Sequence, residues 1–253
     1  MKKTTYLFGA ISVVAALAAV PALAGTINVT PGHMDGWTFS NTDNSGTDAS
    51  GALVAGPAAP PIGNGSAHLV VGAANSSEIL YDLFSPRLSL GSITALSYQT
   101  YVTTSTPGSG AAPALDFDLL TSTNTYGGRL VFDPGLLQMP AQTVQDGEWQ
   151  NWNTLALDAW YFTPSSGLTA DCGLDAGNYC TFSEALSFIS GDLATDVLFK
   201  AGSDQASFNG NVDDFVLNGT TYNFDVPEPF TLGLFGAGLA GMGAMRRRRK
   251  AKV

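Results

Sequence analysis

Short apolar runs of five to ten residues, separated by Gly, Pro, Asn, Asp and Ser, fill the chain from about residue 36 to residue 225. Runs of that length, bounded by turn formers, predict β-strands rather than helices. The segment Leu115-Asp116-Phe117-Asp118-Leu119 alternates cleanly, so Leu115, Phe117 and Leu119 should face a core and both aspartates should face away. Further strands are predicted at 36–40, 67–71, 78–84, 93–103, 129–133, 149–154, 160–163, 196–200, 212–217 and 220–225, with 41–65 as loop. Asn218-Gly219 between the last two is a strong two-residue hairpin signal. One helix interrupts the pattern. Thr181 and Glu184 have capping-box spacing, ahead of a helical stretch over Phe182 to Ile189 that stops at Gly191. The pattern predicts one all-β domain at 25–225, a β-sandwich with a single short helix.

Both ends of the chain break this pattern. Lys2 and Lys3 precede an apolar stretch from Tyr6 to Val20, and Ala22-Leu23-Ala24 is an A-x-A site. Residues 1–24 therefore predict a secretory signal peptide, cut by signal peptidase after Ala24. At the other end, Val226-Pro227-Glu228-Pro229 is followed by a Gly-rich apolar run from Phe230 to Met245 and then by Arg246-Arg247-Arg248-Arg249-Lys250. As a helix, that run spans only ~24 Å against a hydrocarbon core of ~30 Å. Its Leu and Phe residues favour insertion by only a few kcal/mol, so it is a weak or temporary anchor. The basic block would stay cytoplasmic and the body would face outward.

This three-part tail, residues 226–253, resembles the PEP-CTERM sorting signal. The resemblance implies an exosortase, a membrane-embedded cysteine protease, as partner. It also implies export through the inner membrane, transient anchorage there by the C-terminal helix, and delivery to the cell surface or extracellular matrix. The motif residues would be Val226, Pro227, Glu228 and Pro229. The prolines have a physical role as well, because they hold an extended segment poor in hydrogen bonds that a protease can accept.

Charge narrows the partners. Between the two end segments stand three basic residues, Arg87, Arg129 and Lys200, against twenty acidic ones, a net charge of about −17. That field excludes nucleic acid and disfavours anionic surfaces, while attracting divalent cations. Cys172 and Cys180 predict a disulfide in an exported chain, worth roughly 2–3 kcal/mol by loop entropy. A metal or redox pair is the alternative, although C-x-x-C spacing is absent.

A second resemblance rests on the Gly36-Trp37-Thr38-Phe39 strand, the Leu90–Tyr98 segment, Trp149-Gln150-Asn151-Trp152 and the closing Val212-Asp213-Asp214-Phe215 strand. In this order they resemble jelly-roll, carbohydrate-binding-module-like domains. The resemblance implies a structural calcium held by Asp213 or Asp214. Alternation alone sends one of that pair inward, where a cation would offset the cost of burying a carboxylate. Trp149, Trp152, Trp160 and Tyr161 fall within thirteen residues and are candidate sugar-stacking rings, with core packing as the competing reading for each. Glu148, Asn151 and Asn153 would add polar contacts.

Catalytic signals are weak. His33 and His68 are the two histidines, and neither sits in a nucleophile motif. Asp116 and Asp118 lie roughly 6.5–7 Å apart on one strand face, a spacing open to glycosidase chemistry, but solvated outer-face aspartates are the simpler reading. The sequence therefore predicts a non-enzymatic exported surface or matrix protein that binds polysaccharide. The alternative is a secreted glycan hydrolase or lyase.

Overall fold

The computed structural model of the protein describes residues 25–41, 48–72, 77–104, 111–121, 123, 125–137, 143–173, 177–189, 193–202 and 207–227. The expected signal peptide at 1–24, and the tail from Glu228 onward, lie outside the described residues.

The strands are β1 (Gly25–Val29), β2 (Thr38–Ser40), β3 (Ala49–Ala55), β4 (Gly65–Val71), β5 (Ser77–Ser89), β6 (Leu96–Thr104), β7 (Ala114–Leu120), β8 (Tyr126–Phe132), β9 (Trp149–Asn153), β10 (Trp160–Phe162), β11 (Leu193–Gly202), β12 (Phe208–Leu217) and β13 (Thr220–Phe224). They form two sheets. One has seven strands in the order β1-β13-β12-β4-β3, with β6 joining β12 to β9. The other has six, in the order β10-β8-β7-β11-β5-β2. The fold is an all-β, jelly-roll-like sandwich with one short helix, α1 (Phe182–Phe188).

Alternating side chains build the core between the sheets. Leu115, Phe117 and Leu119 are fully buried, as the pattern predicts. Trp37 packs against Phe199, Phe215, Tyr222 and Phe224. Trp160 packs against Phe117, Phe132 and Phe182. The α1 cap forms as expected: Glu184 N donates to Thr181 Oγ1 at 3.3 Å, and Thr181 N donates to Glu184 Oε2 at 2.9 Å. Cys172 and Cys180 form the predicted disulfide, with both residues buried. Asn218-Gly219 turns β12 into β13, with φ of 50° and 85°. A β-carbon disfavours such positive φ, which is why Asn and Gly recur there.

Three expectations need correction. The 41–65 stretch is not all loop, because Ala49–Ala55 forms β3 and pairs with β4 along its whole length. Its Ala-Ser-Gly-Ala composition carries little strand propensity, and pairing overrides that weak local preference. Gly25–Val29 is also a strand, paired with β13 in the one parallel ladder among the described strand pairs. Asp116 is not a solvated outer residue: it is 2% exposed beside the Arg129 guanidinium.

Candidate functional site

The structure separates the four candidate rings. Trp160 is fully buried and its Nε1 donates to the Thr154 carbonyl at 2.8 Å. Trp152 is 2% exposed and its Nε1 donates to Thr100 Oγ1 at 2.8 Å. Neither can meet a sugar. Both belong to the core, where indole area is best removed from water and the N–H still finds an acceptor. Tyr161 lies half-buried on β10, on the other sheet from Trp149. Trp149 alone of the three tryptophans keeps partial exposure. Strand alternation explains the split, since Trp149 and Trp152 are three residues apart and point to opposite faces of β9.

On the outer face of the seven-stranded sheet, Trp149 sits opposite Tyr101 of β6, with ring centroids 5.6 Å apart. The ladder then places Asn151 opposite Gln99 and Asn153 opposite Ser97. Asn151 and Asn153 are exposed. At that end the face opens into a hollow of about 440 Å³ lined by Thr94, Ser97, Asn151, Asn153, Leu155 and their neighbours. Across β12, Asp214 Oδ2 accepts from Gln99 Nε2 at 2.8 Å, and Asn209 bonds His68 Nε2 at 2.8 Å. His68 is thus a hydrogen-bonded face residue.

The Pro-rich segment 56–64 joins β3 to β4 and reaches across this sheet. The Pro57 carbonyl accepts from Trp149 Nε1 at 3.1 Å, three strands away from β4 in the sheet path. Ser66 and Asn211 are buried and bonded to each other, and Ser66 Oγ also donates to the Gly56 carbonyl. The segment is a strap that fixes the Trp149 ring.

Asp213 is fully buried and sits at a bulge where β12 passes from pairing with β4 to pairing with β13. Its Oδ1 accepts from Phe224 N at 3.0 Å, while Oδ2 has no hydrogen-bond partner. Burial pushes its pKa up to about 7, against the backbone N–H groups of Asp214, Phe224 and Ile62. Asp214 adopts φ of 51° beside it. Close by, Asn223 Nδ2 donates to Asn28 at 2.9 Å, and its Oδ1 is another buried acceptor without a partner. Two orphaned buried oxygens are the donor chemistry a hard cation takes. Among the described residues, however, no group of three or more His, Cys, Asp or Glu side chains converges as a metal cluster.

A second constellation, which sequence reasoning only half found, lies on the outer face of the six-stranded sheet. Asp118 stands opposite both Arg129 and Asp196. The Arg129 Nε donates to Asp118 Oδ1 in a short contact, and Arg129 Nη1 lies 4.0 Å from Asp116. Burial and the facing Asp118 carboxylate raise the Asp196 pKa to about 6. The 116/118 spacing was legible, but Asp196 and Arg129 join it only through sheet pairing.

The fold is an all-β, jelly-roll-like sandwich of two sheets. Solved structures similar to the chain include the family 11 carbohydrate-binding module of a cellulosomal cellulase of Clostridium thermocellum, at 11% identity over 72% of this chain and 86% of the module, TM-score 0.42. Another is the enzymatically active domain of a tailspike protein of bacteriophage CBA120, at 11% identity over 72% of this chain and 19% of that one, TM-score 0.40. A β-1,2-glucanase from Parabacteroides distasonis matches at 15% identity over 72% and 23% of the two chains, TM-score 0.37. Such scores transfer no ligand, activity or residue. No curated protein sequence matches the chain. The tail is more specific: residues 225–249 match the PEP-CTERM protein-sorting motif. Asp225, Val226 and Pro227 of that match are described, and Glu228 and Pro229 lie beyond. Among the described residues no helix is long and apolar enough to cross a membrane; the Phe230–Met245 run is not among them.

Proposed function

We propose that the protein is an exported, exosortase-processed surface or matrix protein whose body binds polysaccharide without cleaving it. The observation that carries this reading is the outer face of the seven-stranded sheet. It is a line of amides and two adjoining aromatic rings, Tyr101 and Trp149, beside an open hollow. Such a surface suits sugars, which offer hydroxyls to amides and C–H faces to rings.

Charge selects the polymer class. The three cations of the body lie in β5, β8 and β11, all in the six-stranded sheet. The amide face has none, and the body around it is strongly acidic. Neutral chains would be accepted and polyuronates repelled. In the same reading, Asp213 and the Asn223 side chain are the groups that would hold a structural calcium beneath the face. Calorimetric titration with neutral and uronate polysaccharides, with and without calcium, tests the proposal. Binding confined to uronates, or no binding to any polymer, would overturn it.

A hydrolase or lyase remains a second reading, favoured by the Asp118–Asp196 pair. Asp118 is paired with the Arg129 guanidinium, and burial raises the pKa of its neighbour Asp196 to about 6, so the two carboxyl groups sit in unlike surroundings, as acid–base cleavage requires. Release of reducing ends that vanishes in Asp196→Asn would establish that reading.

A further inference from the structure

The junction between body and tail has no slack. Asp225 N donates to the Val29 carbonyl at 2.8 Å, which continues the β1–β13 ladder by one residue. The Asp225 carboxylate accepts from Asn64 N at 2.9 Å and from Val226 N at 2.8 Å. The Asp225–Val226 backbone also lies directly on the base of the strap. A β-carbon at Gly65 would stand 2.6 Å from Val226 N, and one at Gly63 would stand 2.7 Å from the Asp225 carboxyl. Pro227 is the first exposed residue. The matched sorting motif therefore begins inside the folded body, since its first two residues are held there.

The apolar run begins at Phe230. Four peptide steps separate Val226 from Phe230, a reach of at most about 14 Å even when fully extended. The headgroup layer on each side of the hydrocarbon core takes up about 5–7 Å of that. A body tethered this closely cannot tumble freely. The surface around its exit point is held within about 10 Å of the headgroups.

We propose that the strap, residues 56–64, is the membrane-facing surface of the anchored protein and lies against zwitterionic lipid headgroups until the tail is cut. This rests on the sorting reading, because it requires the tail to insert. The partner chemistry follows from charge. The strap itself, Gly56-Pro57-Ala58-Ala59-Pro60-Pro61-Ile62-Gly63-Asn64, carries no charged side chain, so it avoids the repulsion that the acidic remainder of the body would meet at an anionic surface. Helix α1 belongs to a different part of the sandwich: it packs on Trp160 of β10, an end strand of the six-stranded sheet, whereas the exit follows β13 in the seven-stranded sheet.

The test uses the full chain reconstituted in phosphatidylcholine vesicles. A fluorophore is placed on Ala59→Cys in the strap or on Ser187→Cys in α1, both exposed positions, and a quencher is carried on the lipid headgroup. Severalfold stronger quenching at position 59 than at 187 is expected, and a twenty-residue Gly-Ser insertion after Val226 should abolish the difference. Equal quenching at the two positions, or stronger quenching at 187, in vesicle-bound protein overturns the proposal. Protein that fails to float with the vesicles overturns the sorting reading with it, so the two failures are distinguishable. A gain in quenching at 59 on adding anionic lipid would overturn the charge argument.

Discussion

At the scale of single residues, two tryptophans close in sequence have opposite roles. Trp160 fills the centre of an aromatic cluster, so Trp160→Ala should cost about 3–5 kcal/mol, read as a large fall in melting temperature. Trp149 is half-exposed and held by one hydrogen bond, so Trp149→Ala should cost about 1 kcal/mol of stability while weakening polysaccharide binding about tenfold. Comparable losses of stability from the two changes would remove the distinction. Sequence alone could not separate Trp160 from Tyr161 as the inward residue, because the phase of β10 is set by its pairing with β8. The carboxylates allow a second prediction. Burial raises Glu78 to about 7, and raises Asp133 and Asp196 to about 6. Between pH about 4 and 7 the folded chain retains protons that the unfolded chain has released. Stability therefore falls as pH rises through that window and levels off above it. Melting scans should give a higher midpoint at pH 5 than at pH 8, and Glu78→Gln should flatten the slope.

Among the elements, those with local chemistry were the legible ones. The α1 capping box, the Asn218-Gly219 turn and the Leu115–Leu119 alternation each follow from a few adjacent residues, and each stands where its signal placed it. Thr181→Ala should cost about 1 kcal/mol, measured by chemical denaturation. What was missed depends on distant partners. β1 and β3 are strands because β13 and β4 offer them ladders: the five residues of β1 are too short a run to stand out, and the Ala, Ser and Gly residues of β3 do not announce a strand. The same holds for the candidate site. Tyr101 joins Trp149, and Asp196 joins Asp118, across strands that are 48 and 78 residues apart in the chain, distances no local pattern spans. The strap was readable as a proline-rich loop, but its bond to Trp149 was not.

For the whole molecule, the division between sheets matters most. One outer face carries amides and aromatics without cations; the other carries Arg129, Lys200 and the aspartates. If calcium occupies the Asp213 pocket, adding it should raise the melting temperature of the wild type and leave that of Asp213→Ala unmoved. A segment covering residues 25–226 alone should unfold in one cooperative transition, because the described core needs nothing beyond it.

The parallel ladder between β1 and β13 bears on how such a chain is delivered. The first strand can find its neighbour only after some two hundred later residues have emerged, so translation and translocation must run nearly to completion before that margin of the sandwich zips shut. The seam between head and tail is therefore the last part of that sheet able to close.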